Sequence, residues 1–262
     1  MVIKGIRIEK AARDKEWGFT EASSARFHRG SGTGILICHG FGGTPSNMLP
    51  LYERAVEMGF TVSMPLLDGH AKTLGEMAKT GHEAWRRNVD EAFSALVSSG
   101  CERIFLCGLS MGALLMADLA ERRLSKGVDG VMLICPPVKM KPYLKFTEFI
   151  APIAPYMLTA DDFDRSPEGT EVYMGVASKK LKDISFLARE VKRGAARLAS
   201  PVMLVEAGND NRVDPDSYRI LKKLIPQAEY TLIKGAAHGI PYCPKKRELC
   251  DIFEEYFSKL DR

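Results

Sequence analysis

Ile104-Phe105-Leu106-Cys107-Gly108-Leu109-Ser110-Met111-Gly112-Ala113-Leu114 joins a run of four apolar residues to a run of small ones. The apolar half reads as a strand buried on both faces. The small half turns sharply into a helix expected from Met111 to about Glu121. Gly108-x-Ser110-x-Gly112 is the spacing of a nucleophile elbow. There a tight strand-to-helix turn tolerates only minimal side chains and lifts a serine hydroxyl above the sheet edge. The helix N-terminus aims backbone N–H groups at whatever sits beside that hydroxyl. The spacing alone arises by chance about 0.1 times in a chain of this length. The strand before it and the helix after it make it informative.

Working outward, 262 residues allow a large core and one α/β domain with an insertion. Hydrophobic content of 45% and charged content of 27% are those of an ordinary globular protein. The net charge is +4, and the 37 basic residues are scattered, with short clusters such as Lys179-Lys180 and Lys245-Lys246-Arg247. A nucleic-acid partner would need a denser basic stripe. No run of 18 apolar residues is present, so no integral membrane association is expected. Met1-Val2-Ile3-Lys4-Gly5-Ile6-Arg7 lacks the apolar core of a secretory signal. The six cysteines have no paired short spacing, and Cys38, Cys107 and Cys135 fall in or at the ends of buried strands. They read as reduced core thiols of a cytoplasmic protein, not as disulfides or a metal site.

In chain order, short antiparallel strands are expected near Ile6–Glu9 and Ala25–His28. Gly34-Ile35-Leu36-Ile37-Cys38 is a buried strand that stops at the glycine-rich loop His39-Gly40-Phe41-Gly42-Gly43-Thr44-Pro45. Asn47 is placed as the cap of a helix that Gly59 ends. Phe60–Met64 is the next strand, followed by the Leu67-Asp68-Gly69-His70 loop. From His82 to Ser98, Trp85, Val89, Ala92, Phe93, Leu96 and Val97 share one face of a helix. Val131–Cys135 is again a buried strand. Alternating strands and helices with near-continuous apolar strands indicate a parallel sheet covered on both faces. The pattern breaks from Val138 to about Ser200, a segment rich in proline, methionine and aromatics, with helical spacing and no clear strand. It reads as an insertion over the sheet, so the core comprises 1–137 and 200–262 and a cap comprises 138–199. Pro201–Glu206 resumes the strands, Asp216–Leu224 is a helix and Glu229–Ile233 the last strand. A final helix carries Leu249, Ile252, Phe253, Tyr256, Phe257 and Leu260 on one stripe.

A serine hydroxyl becomes a nucleophile when a base takes its proton and a carboxylate fixes the base's tautomer. On such sheets the order is serine, acid, histidine, each after a strand. One histidine follows Ser110, His238, just past the last strand. Asp210 leads the candidates for the acid, with Asp214 and Asp216 as rivals. Two N–H donors are needed for an oxygen that becomes negative: that of Met111, after the serine, and one from the earlier loop, where Phe41 is flanked by glycines. His39 is read as bracing that loop.

Ile37 through Pro45, Asp68-Gly69-His70, Gly108-Leu109-Ser110-Met111-Gly112 and Asn209-Asp210 through Ser217 together resemble the α/β-hydrolase superfamily. Within it they are similar to bacterial carboxylesterases and monoacylglycerol lipases. The resemblance covers roughly 30–135 and 200–260. It implies the α/β-hydrolase fold with a small helical cap, and hydrolysis of short-to-medium acyl esters or monoacylglycerols through a Ser-Asp-His triad and an acyl-enzyme. Ser110, Asp210 and His238 fall on the triad, Phe41 and Met111 on the oxyanion hole. The partner is then a small-molecule substrate, the chain a monomer or homodimer, and no cofactor is called for. Ala113 departs from the pattern, which usually has a second glycine there, and the cap carries over no substrate contacts. Thioesterase, acyltransferase or carbon–carbon hydrolase activity, or a ligand receptor on the same fold, are the competing expectations.

Overall fold

A computed structural model describes residues 2–3, 6–8, 13–123, 127–159, 171, 173 and 175–262. The first half runs β1 Val2–Ile3, β2 Ile6–Ile8, β3 Arg26–His28, β4 Thr33–Cys38, α1 Leu49–Glu57, β5 Thr61–Met64 and α2 Leu74–Lys79. Next come α3 His82–Ser98, β6 Arg103–Leu109, α4 Met111–Arg122, β7 Gly130–Ile134, α5 Pro142–Ile150, β8 Tyr156–Thr159 and β9 Gly175–Ala177. The chain closes with α6 Leu181–Gly194, β10 Val202–Ala207, α7 Asp216–Leu224, β11 Glu229–Ile233 and α8 Lys246–Leu260.

Among the described residues the main sheet has seven strands in the order β11-β10-β7-β6-β4-β5-β3. All pairs are parallel except β3 on β5. Every residue of β4, and all of β6 but Arg103, is buried, because helices cover both faces. Alternation along a strand splits the core in two. Ile35 and Ile37 pack with Leu51, Phe253 and Phe257 beneath α1 and α8. Leu36 and Cys38 pack with Trp85, Phe93, Leu114 and Leu187 beneath α3, α4 and α6. Each fully buried large side chain contributes roughly 1.5–3 kcal/mol. An exposed pair such as Lys259–Glu229 adds less than about 1 kcal/mol, so packing holds α8 in place. The apolar stripes expected on α3 and α8 are the faces they bury, except that Val97 at the end of α3 is exposed and Ile252 and Leu260 of α8 are partly buried.

Two expectations are corrected. Asn47 is not a helix cap: a short 3-10 turn, Pro45–Met48, precedes α1, and the Asn47 side chain turns back to accept the Thr44 N–H at 2.8 Å. The segment after Val138, expected to lack strands, contains β8 and β9. These pair antiparallel and join β1 and β2 in a second, four-stranded sheet. Strands of two to four residues are too short to show alternation, and the pairing that joins β2 to β8 spans about 150 residues of sequence. The N-terminal strand near Ile6 therefore belongs beside β8, not in the main sheet. Among the described residues no helix is long and apolar enough to cross a membrane.

Candidate active site

A parallel sheet collects functional side chains at the carboxyl ends of its strands. Here Phe41 follows β4, Ser110 follows β6, Asp210 follows β10 and His238 follows β11, four strands close together in the sheet. Ser110 sits between β6 and α4 with φ +55° and ψ −118°. A residue with a Cβ adopts that conformation only where its surroundings force it. What forces it is packing on both sides of the turn. A Cβ at Gly112 would stand 2.6 Å from the His39 carbonyl oxygen, so α4 rests directly on the backbone at the end of β4. A Cβ at Gly40 would stand 3.2 Å from Ser110 Cβ and 3.8 Å from its Oγ. The Phe41 loop thus lies against the serine hydroxyl. Met111, first residue of α4, has no intrahelical acceptor for its N–H. The Phe41 N–H has no hydrogen-bond partner among the described residues.

His39 braces this loop, accepting the Leu67 N–H on Nε2 at 3.1 Å and donating from Nδ1 to the Gly40 carbonyl at 2.9 Å. Its ring packs edge-on to His70, which also meets Phe41 and Trp85. Burial, with the charge of His70 next, lowers His39 to about 3, and burial lowers His70 to about 4. Both imidazoles are neutral in the folded chain well below the value near 6.5 at which unfolded histidine takes a proton. The unfolded state therefore binds more protons below pH 6.5. Stability is full above that value and falls as the pH drops toward 4. Denaturant midpoints measured from pH 7 to 4.5 should fall accordingly, and His70→Phe, which keeps the ring contacts, should flatten the decline by about one proton. An unchanged slope in that variant would refute this account.

On the far side of Ser110, His238 is 3% exposed and its Nδ1 donates to Asp210 Oδ2 at 2.7 Å. Asp210 Oδ1 accepts the N–H groups of Arg212 at 2.7 Å and Val213 at 2.8 Å. Burial pushes this carboxyl up, but His238 and the two N–H groups outweigh it and hold Asp210 below the usual carboxylate range. The rival carboxylates are occupied elsewhere: Asp214 Oδ1 accepts the Asp216 N–H, and Asp216 pairs with Lys139 and Arg219. The elbow and the acid turn share a joint. The Ser110 N–H donates to the Ile134 carbonyl at 2.8 Å, and the next residue, Cys135, places its Sγ within 4.8 Å of the Asp210 and His238 ligand atoms. Among the described residues nothing hydrogen-bonds the Ser110 hydroxyl.

The trio Cys135, Asp210 and His238 is spaced closely enough to hold a metal ion. Its donors are otherwise engaged, however. Both Asp210 oxygens carry hydrogen bonds, and burial, followed by the charge of Asp210, raises the Cys135 thiol well above its ordinary value and keeps it protonated.

Sequence reasoning missed the segment that ties the insertion to the Asp210 loop and to the Phe41 loop. Lys141 Nζ donates to the Asp210 carbonyl at 2.9 Å and Tyr143 Oη to the Asn211 carbonyl at 3.1 Å. At the other end, the Glu171 N–H donates to Ser46 Oγ, its carboxylate accepts from Thr20 and Ser23, and the Tyr173 N–H donates to the Gly42 carbonyl. No local motif marks these residues, because each acts on a loop more than 65 residues distant.

A mostly parallel sheet carrying a strained serine turn at its carboxyl edge defines an α/β hydrolase. The chain belongs to the Hydrolase_4 family, described as serine aminopeptidase, S33, whose model matches residues 32–165, a little over half of its 262 residues. It is 27% identical over 243 residues to a carboxylesterase of Bacillus subtilis (strain 168), covering 89% of this chain and 95% of the relative. It is 27% identical over 202 residues to a thermostable monoacylglycerol lipase of Bacillus sp. (strain H-257), covering 77% and 80%. Among solved structures, a metagenome-derived lipolytic enzyme superposes with TM-score 0.82 at 24% identity, covering 91% of this chain and 98% of that one. The monoacylglycerol lipase of Paleococcus ferrophilus gives 0.72 at 22% identity, covering 87% and 94%.

Proposed function

We propose that this chain is a serine esterase that hydrolyses short-to-medium acyl esters or monoacylglycerols. The observation that carries the reading is the buried Asp210–His238 hydrogen bond on the sheet edge where Ser110 occupies its left-handed turn. His238, with Nδ1–H held by Asp210, keeps Nε2 free as the base. It takes the Ser110 proton as Oγ attacks the ester carbonyl. The N–H groups of Met111 and Phe41 receive the developing oxyanion. The alcohol leaves with the proton, an acyl-serine remains, and water enters with His238 again as base. Catalytic hydrogen bonds commonly tighten only once substrate is bound, so the free Ser110 hydroxyl is consistent with this role.

Residues 138–199 act as the cap over this site, and the carboxylesterase and monoacylglycerol lipase relatives support carboxylic esters as the substrate class. Met140 and Leu144 of the cap pack into the same cluster as Met111 and Phe41, an apolar wall suited to an acyl chain. A fluorophosphonate probe should label the protein stoichiometrically at the peptide containing Ser110. Turnover should be faster with p-nitrophenyl butyrate and monoacylglycerols than with acyl-CoAs. Labelling elsewhere would overturn the nucleophile, and a preference for acyl-CoA would turn the reading toward a thioesterase.

A further inference from the structure

Cys135, just past β7, holds a conformation that its residue type does not favour. Its φ is +49°, one of three positive values among described non-glycine residues, and Ser110 is another. Strain of this kind costs on the order of 1–3 kcal/mol and persists where the surroundings over-determine it. Here the backbone is fixed from both sides. The Ile134 carbonyl accepts from Ser110, and the Cys135 N–H donates to the Val205 carbonyl at 2.9 Å. The strained turn points the sulfur at the acid. Cys135 Sγ, an Asp210 oxygen and a His238 nitrogen lie within 4.8 Å of one another, and the cysteine is 0% exposed.

The Asp210 carboxylate already accepts two backbone N–H groups on Oδ1 and His238 on Oδ2. A buried carboxylate has lone pairs for one more donor. The groups around it are His238, the Cys135 thiol, Lys141 just before α5, Tyr143 of α5 and, behind the sulfur, the Tyr218 hydroxyl, which donates to the Val205 carbonyl at 3.4 Å. Held protonated by burial, and next by the charge of Asp210, the thiol carries its proton beside that carboxylate.

We propose that Cys135 is a positioning residue for the reaction: its S–H donates to the Asp210 carboxylate and fixes the orientation in which Oδ2 meets His238 Nδ1. The proposal rests on the reading of Asp210 and His238 as the pair that handles the serine proton. A donor on Asp210 also shares its negative charge, so removing the thiol leaves more of that charge facing the imidazolium formed in the reaction.

Cys135→Ala and Cys135→Ser separate this role from packing. Alanine deletes the donor. The acid limb of the kcat/KM–pH profile for p-nitrophenyl butyrate should move up by about 0.5 pH unit, and kcat should fall about fivefold. Serine keeps a donor, and both quantities should stay within about twofold of the native chain. If the two variants shift the acid limb alike, or neither shifts it, the proposal is wrong. Two further readouts need no turnover. The downfield proton resonance of the Asp210–His238 hydrogen bond should move in Cys135→Ala and stay in Cys135→Ser. In otherwise native protein, the S–H stretching band in the infrared should change on Asp210→Asn, and an unchanged band refutes the proposal even should the alanine variant fail to fold. If Ser110 is not the nucleophile, fluorophosphonate labelling of its peptide fails while the proton resonance still moves, so the two failures are distinguishable.

Discussion

Ser110→Ala should lower kcat for p-nitrophenyl butyrate by about 10⁵-fold or more, with the chain still folded. The size of the loss follows from the absence of a substitute. The thiols of Cys38, Cys107 and Cys135, at the ends of or within the neighbouring strands, are buried, and desolvation raises each far above the range in which it would ionise at neutral pH. What remains is the modest rate support of the Met111 and Phe41 N–H groups acting on a water attack. Alanine keeps a Cβ at φ +55°, so the elbow's strain is unchanged and the fold is expected to survive. Ser110→Gly, equally inactive, should be more stable than the alanine variant by about 1 kcal/mol, because glycine accepts that conformation without steric cost. Initial rates and thermal midpoints of the pair check both statements. An alanine variant retaining 1% of turnover would remove Ser110 from the mechanism.

The parts of this protein legible in its sequence are those whose causes are local. The elbow could be read from eleven residues because a buried strand, a turn without room for side chains and a helix must follow one another there. A parallel sheet covered on both faces followed from the apolar runs of its strands, and the main sheet, parallel but for β3, bears this out. Asp210 led Asp214 and Asp216 in the sequence, but what separates them physically was not visible there. The choice depends on which carboxylate the loop folds back, and the Arg212 and Val213 N–H groups decide this by capturing Asp210 Oδ1. The small antiparallel sheet was legible only at its N-terminal strand near Ile6: its partner β8 lies about 150 residues away and has no pattern of its own. Cys135 was correctly placed at the end of a buried strand. Nothing in its neighbours, however, signals the positive φ that turns the thiol toward Asp210. The insertion is in the same position, since its grip on the acid loop through Lys141 and on the Phe41 loop through Tyr173 exists only in three dimensions. Substitutions there are expected to reach the chemistry through loop position, without touching substrate.

Asp210→Asn tests the geometry most sharply, because it changes almost no volume. The side-chain amide must keep its oxygen on the Arg212 and Val213 N–H groups, since those donors cannot accept from an NH₂ group. Its NH₂ group therefore faces His238 Nδ1, which now has to accept. The imidazole is driven into the tautomer with its proton on Nε2, the nitrogen that should take the proton of Ser110. A base already carrying a proton cannot serve, and the negative charge that stabilised the imidazolium is gone as well. The expected loss in kcat is about 10⁴-fold at pH 7.5, the size found when the corresponding substitution imposes the wrong tautomer elsewhere, with KM little changed. Asp214→Asn should stay within about threefold of the native rate, because Asp214 serves the N-terminus of α7 and Lys139 and does not touch His238. Comparable losses in both variants would mean that the loop's shape matters more than the Asp210 carboxylate. A large loss confined to Asp214→Asn would exchange their roles.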